Sequence, residues 1–241
     1  MDLKIQDVAN LLNVTEATVQ EWVSEGKIPS YRIQQQQRFS RAEIENWVMH
    51  HKLTTTVGHS PFFGTEKQES PADKKAKSPG GMKQFSLFRA LHQGDVYHQV
   101  PGQTKEDVIR TTVRQASQLL DVDADVMIEL LLDRERLMPT ALNLGIAVPH
   151  TRDTLLDGPR DIVVVVYPEK PLNYGALDGL PVHTLFFLFA SDDKRHLHLL
   201  AKIAHLSSQP QCLAFLRTQP SKEQLLEFIK QWEGQISPSG E

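Results

Sequence analysis

The side chains with most to offer near neutral pH are ten histidines and a single cysteine in a chain of 241 residues. One histidine stands in an unusual setting. His150 closes the run Leu-Gly-Ile-Ala-Val-Pro-His, where Pro149 fixes the backbone just ahead of it and Gly145 permits a tight turn or close approach. A ring presented in this way is preoriented. Because an imidazole has an ordinary pKa of about 6.5, its neutral form is a competent nucleophile. Spacing alone gives a lone histidine a structural role more often than a catalytic one. His196 lies at i of a set completed by Leu199, Leu200 and Ile203, at the edge of an apolar helix face. Taken alone, it reads as a core histidine with its hydrogen bonds satisfied. His198 is predicted on another face of that helix and His205 two turns on. A zinc site from these three fits no common ligand spacing, so no metal is expected. Cys212 lies in apolar surroundings and reads as inert, and one cysteine excludes both an internal disulfide and a cysteine zinc cluster. There is no phosphate-cradling glycine loop and no serine elbow, so no nucleotide cofactor or serine chemistry is expected.

The elements that must position these residues follow from periodicity. Residues 105–120 and 125–136 are amphipathic at helical spacing, as are 194–206 and 222–232. Residues 162–166, IVVVV, and 184–190, TLFFLFA, read as strands buried on both faces. Helices interleaved with buried strands predict an α/β sandwich, a mixed sheet flanked by helices, over residues 84–234.

With these elements in place, Arg134-Glu135, Thr140 and Gly145-Ile146-Ala147-Val148-Pro149-His150 together resemble the phosphorylation-site motif of phosphotransferase-system IIA domains of the fructose/mannitol and nitrogen-regulatory type. Leu177-Asp178-Gly179-Leu180-Pro181-Val182 before an apolar strand fits the same pattern, as does His196-Leu197 followed by Leu199-Leu200 and Ala204. The resemblance implies that His150 receives a phosphoryl group from an HPr-like phosphocarrier protein. It also implies that His196 lies beside His150 and binds the phosphoryl oxygens, and that the Arg134 guanidinium complements their charge. One departure concerns the loop before the histidine. Ala141-Leu142-Asn143-Leu144 stands where the family has a glycine-rich stretch, which bears on the choice of donor.

The first 53 residues form a second unit. Val8, Leu11 and Leu12 mark one short helix; Thr15 caps another that carries Val19, Trp22 and Val23; Gly26 and Pro29 end it. A two-stranded wing is predicted within 28–39, and a third helix follows Ser40, with Ile44, Trp47 and Val48 turned inward. Asp7-Val8-Ala9, Leu12-Asn13-Val14-Thr15, Thr18-Val19, Trp22, Gly26-Lys27-Ile28-Pro29, Tyr31-Arg32 and Arg38-Phe39 resemble excisionase-type, MerR-like winged helix-turn-helix modules. The resemblance implies a DNA reader, with Thr15, Thr18, Gln20, Lys27, Arg32 and Arg38 as candidate DNA-binding residues. The exposed positions Glu16 and Glu21 on the second helix repel phosphates, so contact with a protein is the competing use of this fold. A homodimer is compatible with a reader of this kind, although a single copy does not require one.

Residues 54–83 contain three prolines, four glycines and no sustained period, and read as a flexible linker; 235–241 reads as a disordered tail. Across such a linker, charge placed on His150 is expected to reach the N-terminal module only indirectly, given a screening length of about 8 Å at physiological salt. Residues 84–241 carry twenty acidic and fifteen basic side chains. The whole chain, at net −4, is a poor nonspecific nucleic-acid binder. No apolar run approaches the ~20 residues of a membrane span, and the N-terminus lacks a signal core. The expected compartment is the cytoplasm, with no membrane partner. Three roles compete: a nitrogen-type IIA regulator read by downstream proteins, a sugar-transport IIA that passes phosphate to a IIB cysteine, and a transcription factor whose IIA-like domain senses without being phosphorylated.

Overall fold

The structure, a computed structural model, describes residues 2–12, 14–51, 86–151 and 160–236. The linker expected at 54–83 lies outside the described residues. Of the tail expected at 235–241, residues 235 and 236 belong to the last helix and the remainder lies outside them.

The N-terminal unit contains β1 (Asp2–Leu3), α1 (Ile5–Leu12), α2 (Glu16–Ser24), β2 (Tyr31–Ile33), β3 (Gln36–Ser40) and α3 (Arg41–His51). Thr15 caps α2 by accepting a hydrogen bond from the Thr18 amide at 3.1 Å, satisfying one of the helix's unpaired donors. Where a wing was predicted, β2 and β3 form an antiparallel hairpin, and β1 pairs on the far side of β3. The hairpin loop is Gln34-Gln35, with φ of 47° and 65°. Positive φ at both central residues matches the right-handed twist of the strands, though such loops usually recruit Asn or Gly.

The C-terminal unit runs α4 (Ser86–Gln93), β4 (Val96–Val100), α5 (Lys105–Leu120), α6 (Ala124–Leu137), β5 (Ile146–Ala147), β6 (Ile162–Pro168), β7 (Thr184–Phe189), α7 (Asp193–Ser207), α8 (Pro210–Arg217) and α9 (Lys222–Ile236). Its sheet has the order β4-β6-β7-β5. The central pair is antiparallel and both edge strands run parallel to their neighbours. Every residue of β6 and β7 is buried. Strand alternation sends Ile162, Val164, Val166 and Phe187 toward α5 and α6, and Val163, Val165, Phe186 and Leu188 toward α4, α7, α8 and α9. A mixed sheet flanked by helices is the architecture read from the sequence.

The second of these cores does not stop at α7. It continues into Val8, Leu11, Leu12, Ile44, Val48 and Met49 of the N-terminal unit, because α1 and α3 pack on the outer side of α7. Consequently α7 is buried on every side from His196 to Ser207, as a helix must be when it is covered all round. His198 faces away from His196, as predicted, yet it too is buried. The described parts of both units thus share one core.

Candidate functional site

His150 is held in place by the edge of the sheet. β5 pairs parallel with β7, and this pairing continues through a bridge between His150 and Leu188, where the Leu188 amide donates to the Pro149 carbonyl at 2.9 Å. Pro149 has no N–H to offer a neighbour, so an edge position suits it. The turn leading into β5 is sharp. Leu144 and Gly145 both have positive φ, at 64° and 83°. At Gly145 a Cβ would lie 2.5 Å from the His183 ring and 3.1 Å from the Pro181 carbonyl, so the glycine is a steric requirement. Leu144 takes the left-handed conformation without being glycine, at the place where the sequence departs from the glycine-rich pattern. Its amide donates to the Asp178 carboxylate at 2.6 Å, which helps hold that conformation.

Behind this loop lies a buried polar network. Glu135, on α6, accepts from the Thr140 amide and, at 2.6 Å, from the Thr140 hydroxyl; it also pairs with Lys105 at 2.9 Å. The Thr140 carbonyl then accepts from the Val148 amide at 2.9 Å. This chain of bonds ties α5 and α6 to the residues just ahead of His150.

The tautomer of His150 follows from geometry. Nδ1 lies 2.7 Å from the Val148 carbonyl oxygen. A carbonyl can only accept, so Nδ1 carries a proton and Nε2 is the nitrogen available for chemistry. His196, in the first turn of α7, places its ring 5.0 Å from that of His150, tilted by 60°. Its Nε2 is buried and has no hydrogen-bond partner among the described residues. Arg134, near the end of α6, donates from Nη1 to the Met138 carbonyl at 3.0 Å. The structure thus brings the three predicted site residues into one buried cluster.

A fourth member was not read from the sequence. Glu45 of α3 reaches into the cluster, hydrogen-bonds His150 Nε2 and accepts from Arg134 Nη2 at 3.4 Å. Burial by itself would raise the Glu45 pKa. The hydrogen bond to His150, the charge of His150 and then His196 and Arg134 outweigh it and hold the carboxyl well below its ordinary range. The His196 pKa is lowered too: burial first, then His150, bring it to about 3, so its imidazole stays neutral at physiological pH. One signal in the sequence could have revealed Glu45's setting. Ile44, Trp47, Val48 and Met49 give α3 a broad apolar surface, more than a module of 50 residues needs for its own core.

Donor atoms of Glu45, His150 and His196 all lie within 4.8 Å of one another, a spacing that would admit a metal ion. Arg134 beside Glu45, and Arg41, whose charge also bears on His196, make the surroundings better suited to an anion.

The candidate DNA-contact residues lie elsewhere. Thr15 at the N-cap of α2, Gln20 on α2 and Arg32 on the hairpin are exposed, and Thr18 and Arg38 are half-buried. Lys27 pairs with Glu25 at 2.8 Å, Arg32 Nε donates to Gln37 at 3.4 Å, and Arg38 donates to Gln36 at 2.5 Å. Glu16 and Glu21 are exposed as well. Of the remaining residues set aside at the outset, Cys212 is buried, which pushes its thiol up to about 12 and suits an inert role.

Residues 90–232 match the family described as Phosphoenolpyruvate-dependent sugar phosphotransferase system, EIIA 2, and residues 3–52 match a helix-turn-helix domain. The nitrogen regulatory protein of Pseudomonas aeruginosa is 34% identical over 146 residues, covering 59% of this chain and 94% of the relative. That of Escherichia coli is 33% identical over 155 residues, covering 62% and 93%. Among solved structures, the nitrogen regulatory protein IIA-Ntr of Neisseria meningitidis aligns with a TM-score of 0.49 and 21% identity over 59% of this chain and 94% of that one.

Proposed function

The chain belongs to the EIIA 2 family of the phosphoenolpyruvate-dependent sugar phosphotransferase system, and on that premise we propose that it is a nitrogen-regulatory-type phosphocarrier whose His150 accepts a phosphoryl group from an HPr-like protein. The observation that carries this reading is the Nδ1–H to Val148 carbonyl bond, which orients His150 beside His196 and turns Nε2 to the spot where Glu45 meets Arg134. In the transfer, the Nε2 lone pair forms the new P–N bond. The donor's P–N bond breaks, and its electron pair leaves with the donor imidazole. Both reacting groups are nitrogens of similar basicity, so the protein's task is positioning and charge stabilisation. Neutral His196 can donate one hydrogen bond to a phosphoryl oxygen, and Arg134 supplies positive charge.

The helix-turn-helix domain favours a regulatory output over transport, since moving a sugar does not call for a DNA-type module. On this reading the phosphorylation state is sensed by a downstream regulatory protein, or through DNA contacted by α2 and the hairpin. The test is a chase experiment. The full chain is charged by its own cell's phosphocarrier cascade and then mixed with IIB proteins from the same cell. Retention of the label supports a regulator. Rapid loss to a IIB cysteine makes this a transport IIA.

A further inference from the structure

The N-terminal module lies over the histidine proposed as the acceptor. α1 and α3 pack on α7. Arg41, at the start of α3, pairs with Asp193 at 2.6 Å, and Glu45, one turn later, enters the cluster. His150 has no exposed surface in this arrangement, and Arg134 and His196 are only 3% and 4% exposed. A donor protein must bring a phosphorus atom to Nε2 in line with the bond that breaks. A Glu45 oxygen is already hydrogen-bonded to that nitrogen.

We propose that the helix-turn-helix module and the phosphoryl donor compete for one face of the C-terminal domain, with Glu45 standing in the phosphoryl position when the module is docked and phosphohistidine at position 150 holding the module off. The inference rests on the reading of His150 as the acceptor. Three features of the cluster support it. First, a carboxylate is the protein group that best mimics a phosphoryl group, being anionic and rich in acceptor oxygens, and Glu45 uses the guanidinium that would otherwise meet the phosphate. Second, Nε2 is hydrogen-bonded to Glu45, and a ring nitrogen engaged in this way has no free lone pair for phosphorus. Docking therefore blocks the nucleophile chemically as well as sterically. Third, a phosphoryl group adds up to about two negative charges. Placed against the Glu45 carboxylate in a site closed to water, these repel far more strongly than they would at a surface.

The docked arrangement does not cover the proposed reading face. Glu16, Ala17, Gln20 and Glu21 of α2 stay exposed, while α1 and α3 make the packing against α7. Docking thus regulates His150 directly and fixes where the module sits, leaving α2 open to a partner. Coupling of this kind is reciprocal at equilibrium: whatever draws the module off favours the phosphorylated state by the same factor that phosphorylation favours undocking.

The experiment uses the full chain, an HPr-like phosphocarrier recharged from phosphoenolpyruvate, and two readouts: the initial rate of adduct formation by intact mass spectrometry and the hydrogen exchange of α3. Glu45→Lys places a cation against Arg134 when docked and a harmless surface charge when undocked. Asp193→Arg breaks the Arg41 pair away from His150, and the swap Arg41→Asp with Asp193→Arg restores it in reverse. The expected result is faster exchange in α3 and a rise in rate of about tenfold in each released variant, the factor for a lock that leaves about one molecule in ten open. The swap should return both readouts toward the unmodified chain. Unchanged rates despite faster exchange in α3 would overturn the competition. Protection of α3 in both variants would overturn the assignment of Glu45 and Arg41 as the latch. If α3 is released but no variant forms an adduct, the acceptor reading itself fails, and this inference fails with it.

Discussion

At the scale of single residues, two positions carry separable consequences. His196 is buried and neutral beside His150, and its replacement removes a hydrogen-bonding group from the proposed transition state without creating an unpaired charge. His196→Ala is expected to slow transfer to His150 by about 100-fold, the usual effect of losing one positioned donor, while thermal unfolding shows a folded protein. Rapid-quench kinetics on the full chain reads this directly, and an unchanged rate would return His196 to the role of a core residue. Gly145 acts through the backbone. Gly145→Ala forces a Cβ into the His183 ring in a backbone conformation that costs about 1–2 kcal/mol for a non-glycine residue. The midpoint of thermal unfolding should fall by several degrees, and transfer should slow because the turn sets the direction of His150. If His183→Ala in the same chain does not recover part of the lost stability, the clash is not the cause.

At the scale of elements, the reading helix is acidic. With Glu16 and Glu21 exposed on α2, and Lys27, Arg32, Arg38 and, once freed from Asp193, Arg41 as the candidate phosphate contacts, DNA affinity should be weak and steeply dependent on salt. A log–log slope of about −3 to −4 per module is expected in mobility-shift titrations, roughly doubled for a dimer. Failure to recover any specific site from genomic DNA would assign the module to protein contact. The sequence made the long elements of both units legible, because β6 and β7 are continuous β-branched and aromatic runs and α5 and α6 are strongly amphipathic. It did not reveal α4, β4, β5 or α8. β4 reads Val-Tyr-His-Gln-Val, with two polar residues and a break in its register. β5 has two residues, fewer than any periodicity can register. α4 and α8 have eight residues each, little more than two turns. His150, His196 and Arg134 were legible as a set only through the family pattern; spacing alone left His196 in the core, and burial agrees with that part of the reading. Glu45 was not legible as a site residue: the apolar surface of α3 marks the helix as packed, but nothing local marks this glutamate as the partner of a histidine 105 positions away.

At the scale of the whole molecule, the proton links the two units. Glu45 and Arg41 face His196 from across the joint, and His150 and Arg134 face it from its own unit. His196 has its folded pKa lowered from 6.5 to about 3. A depressed value means that the stability tied to neutral His196 is complete above about pH 6.5 and is lost as pH falls toward 3, by up to about 1.4 kcal/mol per pH unit. The Glu45 shift has the same sign and adds its loss at still lower pH. Acid should therefore loosen the docked arrangement before it unfolds either unit. Hydrogen exchange of α3 and α7 between pH 7 and 5, corrected for the intrinsic rate, is expected to rise together. His196→Asn should flatten that dependence, and a profile independent of pH would show that His196 does not sense the joint.

The central claim is that His150 accepts a phosphoryl group, and intact mass spectrometry of the full chain after incubation with its own cell's phosphocarrier cascade tests it most directly. The expected result is an acid-labile gain of one phosphoryl group on the unmodified chain and none on His150→Ala. An adduct that survives in His150→Ala, or the absence of any adduct on a chain whose Glu45→Lys variant has released α3, would contradict it.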